Sequence, residues 1–326
     1  MRRLSRAGFK APFLRSTVLP DWWEKGCEDD PALLPEIELR IARFLGVPVS
    51  GVRDPSFALT APAYVGAKLR QTRAVDRARL TPAIHTAIQV ASAVVRSLRK
   101  PLPAAVIPPT DGLNWREQIR RAGALVKLED LVEDLWSRGI PVVPLEVFPA
   151  PGFQGLACVV EGRPVVVLGH RYDEPGRVAF LISHEVGHIA AGDCSTDSPV
   201  VDEEENVPDD SDIEVAADRY AMRLIAGEDS IPEIQAGDYR ALALKAGELE
   251  RTKGIDASAA VFAWARRSGD FTMATMAVKA LYKATGARRS LSTLWNRHVD
   301  IAAANETDRG LLACVLGVPE RDEAAR

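Results

Sequence analysis

The chain has 326 residues, close to half of them apolar, with 41 Lys and Arg against 45 Asp and Glu. This is an ordinary globular composition, long enough for two or three domains with a sizeable buried core. The basic start Met1-Arg2-Arg3-Leu4-Ser5-Arg6 leads into no apolar signal-like run. No uncharged apolar stretch approaches the ~18 residues of a membrane span, so a soluble, cytoplasmic protein is expected.

The four cysteines, Cys27, Cys158, Cys194 and Cys314, are scattered and form no C-x-x-C pair, which argues against both a cysteine zinc finger and a disulfide framework. Charge is unevenly spread. Residues 1–121 hold 20 Lys and Arg against 11 Asp and Glu, and the remainder is acidic. A basic front third fits a DNA contact, though in a helical domain such a bias more often marks solvated faces.

Residues 1–33 read as irregular. From Leu34 the positions Leu34, Ile37, Leu39, Ile41, Ala42 and Leu45 form an approximate helical stripe that stops at Gly46, and residues 47–52 turn into a short second element. Two helices joined at a glycine are similar to the helix-turn-helix of small bacterial repressors. In that reading Arg40, Arg43 and Arg53 carry the DNA contact. A clearer amphipathic helix covers 80–99, and Pro101, Pro103, Pro108 and Pro109 then make a stiff linker. The first boundary is placed there.

Periodicity predicts a helix from Trp115 to Trp136, closed by Gly139. Three extended runs follow, 140–145, 155–160 and 164–168, the last two joined by the hairpin-like turn Glu161-Gly162-Arg163. A helix over 176–191 comes next, then an acidic loop over 193–212, then a helix from Ile213 to Ala226. Residues 230–326 alternate helical stretches with breaks at Gly237, Gly254, Gly269 and Gly286 and show no strand.

The helix over 176–191 contains His184-Glu185-Val186-Gly187-His188. Histidines four apart on a helix share a face, so both imidazoles can reach one zinc ion at the ~2.0–2.1 Å zinc–nitrogen distance. Glu185, beside the first, is placed to act as a general base rather than a ligand. Val178, Phe180, Leu181, Ile182, Val186 and Ile189 make the rest of the helix apolar, and burying two histidines and a glutamate there is costly without a task.

A catalytic zinc site takes three protein ligands and one open position. Glu214, at the start of the next strong helix, is the candidate third ligand, and Asp218 one turn later can orient a ligand imidazole. The competing reading of Glu214 is an acid favoured by the helix dipole. Asp193 and Cys194 are local rivals for the third position. His170, at the end of the last predicted strand, and Arg177, on the motif helix, are candidates for substrate contact.

The run Arg177-Val-Ala-Phe180-Leu-Ile-Ser183-His184-Glu185-Val186-Gly187-His188, followed by Glu214-Val-Ala-Ala217-Asp218-Arg-Tyr220-Ala221, resembles the ImmA/IrrE family of bacterial metallopeptidases over about residues 115–228. That family's motif is R-x-x-F-x-x-A-H-E-L-G-H, then E-x-x-A-N-x-F-A. Asp218 and Tyr220 stand where it usually has Asn and Phe, Ser183 where Ala is common, and His170 where Asn is frequent.

The resemblance implies zinc on His184, His188 and Glu214, Glu185 as the general base, and a protein substrate that is a helix-turn-helix repressor. The expected architecture is α+β and mainly helical: a helical N-terminal domain (1–110), a zincin-like metallopeptidase domain of a small sheet and the HExxH helix (111–229), and a helical C-terminal domain (230–326). The alternative is a DNA-binding regulator that uses the zincin module as a sensor or partner-binding body without proteolysis.

Overall fold

A computed structural model of the chain describes residues 1–62, 68–69, 77–120, 125–149, 152–169, 172–196, 198–202, 211–282 and 285–317. In chain order the elements are α1 (Arg2–Arg6), α2 (Ala11–Thr17), α3 (Leu34–Leu45), α4 (Val49–Arg53), β1 (Lys68–Leu69), α5 (Arg77–Arg96), α6 (Gly112–Ile119), α7 (Leu128–Ser137), β2 (Val142–Pro144), β3 (Gly155–Val160) and β4 (Arg163–Leu168). After them come α8 (Pro175–Ala191), β5 (Val200–Asp202), α9 (Asp212–Ala226), α10 (Tyr239–Lys253), α11 (Ala257–Ser268), α12 (Phe271–Leu281), α13 (Ala287–His298) and α14 (Glu306–Leu312). The fold is α+β and mainly helical, as expected from the sequence. Among the described residues no helix is long and apolar enough to cross a membrane.

The strands form one mixed sheet in the order β1-β5-β3-β4-β2. β3 and β4 are the predicted hairpin, antiparallel with Gly155 opposite Leu168 and Val160 opposite Arg163. Glu161 (φ 51) and Gly162 (φ 74) both take the left-handed conformation. Two such residues in a two-residue turn match the right-handed twist of the strands they join. β2 lies parallel to β4, and β5 runs antiparallel to the other edge of β3.

Leu156, Ala157 and Cys158 are consecutive and all buried, so both faces of β3 are covered. α8 and α5 each pack on β3 and β4. The buried apolar side chains form one continuous cluster, from Leu4 in α1 to Val315 beyond α14. α14 returns to α5, where Arg96 holds Asp308 at 2.5 Å.

Several expectations are corrected here. Residues 1–33 contain α1 and α2, whose Leu4, Phe13 and Leu14 are buried; the helices are too short for a repeating stripe. The stretch 115–136 is two helices, not one, because α6 ends at Ile119 and α7 begins at Leu128. Within 193–212 the chain contributes β5, a strand of three residues that no alternation could signal.

The breaks in the C-terminal part are as expected. Gly254 and Gly269 end α10 and α11 in the left-handed conformation, and Gly286 precedes α13. At the front, α3 ends at Gly46 (φ 68) and α4 has only five residues. Arg3 holds α4 in place, donating to the backbone carbonyls of Val52 (2.6 Å), Asp54 (2.7 Å) and Phe57 (2.7 Å). Arg40 is buried and bonded to Glu36 and Glu306, so it does not stand on an open surface that a DNA backbone could cover.

Candidate metal centre

α8 is anchored at both ends. At its start Pro175 takes the first turn, where a missing N–H costs nothing. The Gly176 N–H donates to Ser258 Oγ on α11 at 2.8 Å, and a Cβ on Gly176 would overlap Asp256. At its end Gly192 (φ 76) closes the helix, with its N–H turned to His188 O and Ile189 O. The next N–H, of Asp193, donates to His188 O at 2.9 Å. That closure carries the Asp193 side chain back over the last turn, against His188.

α9 crosses α8 closely at Gly187. A Cβ there would lie 3.1 Å from Ala217 Cα and 3.3 Å from Tyr220 Cβ. The glycine of the motif therefore sets the distance between the helices, and that distance lets Glu214 and Asp218 reach His184. Tyr220 fills the far side of the crossing and donates its hydroxyl to Pro109 O at 3.0 Å. Ser183 is also accommodated, its hydroxyl donating to Ala179 O at 2.6 Å.

His184, His188 and Glu214 are all buried and offer ligand atoms within 4.8 Å of one another. His184 Nε2 lies 3.1 Å from Glu214 Oε2 and 3.2 Å from His188 Nε2, and His188 Nε2 lies 3.6 Å from Glu214 Oε1. The other ring nitrogens face outward to carboxylates: His184 Nδ1 to Asp218 at 2.9 Å and His188 Nδ1 to Asp193 at 3.2 Å.

A neutral imidazole carries one ring proton, and a carboxylate acceptor draws it to Nδ1. Both Nε2 atoms then present lone pairs to each other and to a carboxylate. Three acceptors facing one another in a buried space repel unless a positive charge lies between them, a proton at least and a metal ion best. When protons rather than a metal supply that charge, burial raises the Glu214 carboxyl, but the hydrogen bonds and charge of protonated His184 and His188 outweigh it and hold the group well below the usual carboxylate range. The residues present thus fit a metal ion, and Glu214 is in the ionised form a ligand needs.

Glu185 is fully buried and its carboxylate lies against Gly155, where a Cβ would overlap it. The start of β3 thus has to be a glycine to make room for the carboxylate. Asp193 occupies the outward nitrogen of His188 and neither it nor Cys194 belongs to the three-residue cluster. Its place is that of a residue that orients a ligand.

Arg177 is stacked between two rings, its guanidinium carbon 3.2 Å from the Tyr172 centroid and 4.4 Å from that of Phe262. It lines a cavity of about 50 Å³ together with Gln154, next to Gly155, and Phe180, whose ring centroid lies 6.5 Å from that of His184. Arg266 of α11 lines the same cavity, stacks over Phe180 at 5.5 Å and reaches Asp218 at 3.5 Å. His170 lies outside the described residues. Sequence reasoning missed Gly155, Ser258 and Arg266. Each is an isolated residue far along the chain from the motif, with no spacing rule to flag it.

No family model matches the chain, and no curated protein matches its sequence.

Proposed function

We propose that this chain is a zinc-dependent endopeptidase of the ImmA/IrrE kind that cuts a regulatory protein, a helix-turn-helix repressor by the resemblance of its motifs. The observation that carries the reading is the convergence of His184 Nε2, His188 Nε2 and Glu214, with both outward ring nitrogens held by carboxylates. His184, His188 and Glu214 would hold the ion. Zinc, when bound in such a set, supplies Lewis acidity that activates water and polarises a peptide carbonyl.

The chain's own groups do the rest. Glu185 takes the proton of the attacking water and returns it to the departing amine, so no covalent link to the protein forms. Asp218 and Asp193 keep the two imidazoles in the tautomer and orientation that leave Nε2 free to ligate. The apolar cavity at Phe180 and Phe262, with the guanidinium of Arg177 on its wall, is where a substrate side chain would enter, and its volume of about 50 Å³ suits a small one.

Elemental analysis of purified protein tests the first half of the reading: about one zinc per chain in wild type, and none in His188→Ala or Glu214→Ala. Labelling of new N-termini in a cell lysate tests the second. Cuts made by the zinc-loaded wild type are expected to disappear with Glu185→Gln, which keeps its metal. Zinc bound in wild type but identical N-termini for wild type and Glu185→Gln would sink the peptidase reading and leave the non-proteolytic regulator.

A further inference from the structure

The basic residues that the peptidase reading leaves aside meet in another place. Where α2, α3, α5 and α14 come together, a cavity of about 300 Å³ opens, within the size range of small-ligand sites. Arg40, Arg43 and Arg96 line it, with Asp308 as the one carboxylate among the described lining residues, and Arg96 also reaches Glu161 at 3.0 Å. Asp308 is fully engaged, accepting from Arg96 Nε at 3.0 Å, Arg96 Nη2 at 2.5 Å and Asn305 Nδ2 at 2.7 Å.

Arg40 is the informative member. Its residue is 4% exposed. Nε and Nη2 donate to Glu36, and Nη2 also meets Glu306 at 2.5 Å. Nη1 is buried with no hydrogen-bond partner among the described residues. Buried guanidinium donors are ordinarily satisfied. Arg43, three residues on and so on a neighbouring line of the same helix, is exposed, and no ion pair among the described residues engages it. Phe44 and Leu311 add apolar wall.

We propose that this cavity is a second binding site, taking a small organic anion whose phosphate or carboxylate head pairs with Arg40 Nη1 and Arg43 and whose body lies on Phe44 and Leu311. Guanidinium forks match such oxyanions in shape as well as charge. Because α3 and α14 come from opposite ends of the chain, the ligand joins the N-terminal helices to the C-terminal one and stabilises their pairing. The site shares no residue with the His184, His188 and Glu214 cluster, so it stands or falls independently of the peptidase reading.

Titration calorimetry of the full-length chain with phenyl phosphate and with benzoate, at ionic strength held constant with chloride, tests it. One site is expected in wild type and in Glu214→Ala, the latter removing any contribution from a bound metal. Arg43→Gln, a surface change, is expected to weaken binding by at least about tenfold. The phosphate and benzoate arms tell which head group is preferred. Equal binding by wild type and Arg43→Gln, loss of binding in Glu214→Ala, or no heat from either probe at roughly 10 mM would overturn the proposal.

Discussion

At the scale of single residues, the carboxylates behind the two imidazoles make the sharpest prediction. Asp218 accepts from His184 Nδ1 at 2.9 Å, and an amide oxygen at that position still accepts. If the proposed zinc is the bound ion, Asp218→Asn should therefore stay within about threefold of wild type in zinc affinity, while Asp218→Ala should lose about tenfold to a hundredfold. Competition with a chelator measures both. Gly155 makes the complementary case. A Cβ there overlaps the Glu185 carboxylate, so on the proposed peptidase reading Gly155→Ala should keep the bound metal, read by elemental analysis, and lose cleavage, read by new N-termini. Retained cleavage would place the Glu185 carboxylate elsewhere during the reaction.

At the scale of elements, α8 and α9 carry the centre, and a buried arginine holds the end of α9. Arg116 Nη1 donates to Leu224 O and Ile225 O at 2.7 Å each, and Nη2 donates to Gly254 O at 3.2 Å. One side chain on α6 thus satisfies the carbonyl ends of both α9 and α10, which otherwise lack donors. Arg116→Met should destabilise the fold by about 3 kcal/mol, because several buried carbonyls lose charged donors together. Urea unfolding measures it, and a change under about 1 kcal/mol would mean that the helix ends find other donors.

At the scale of the whole molecule, acid sensitivity follows from His85. Its ring is buried against Phe9 and Phe44 and its Nε2 meets Phe44 O at 2.5 Å. Burial lowers its pKa from 6.5 to about 4, against the smaller opposing effect of that hydrogen bond. The unfolded chain takes up this proton first as pH falls, so stability is unaffected above about pH 7 and declines between about 6.5 and 4. From pH 7.5 to 5 the loss from this one group is about 2 kcal/mol. His85→Gln should flatten the decline by that amount in unfolding measured at several pH values, and the difference between the two proteins cancels any effect of the metal ligands.

Features governed by local rules were legible before folding. The spacing of His184 and His188 places two ligand atoms on one helical face, Glu161-Gly162 supplies the conformations a tight hairpin needs, and Gly46, Gly254 and Gly269 end helices because they take the left-handed conformation without strain. Glu214 and Asp218 were legible through their spacing on a second helix. Tertiary structure alone decided the rest. Val200–Asp202 is a strand because β3 on one side and β1 on the other are there to pair with it. Asp193 orients His188 rather than competing as a ligand because Gly192 turns the chain back. Arg40, read as a surface cation, is buried because α14 brings Glu306 to it from the other end of the chain. Short elements and distant contacts leave no period in a sequence, since their stability comes from partners that only the folded chain brings near.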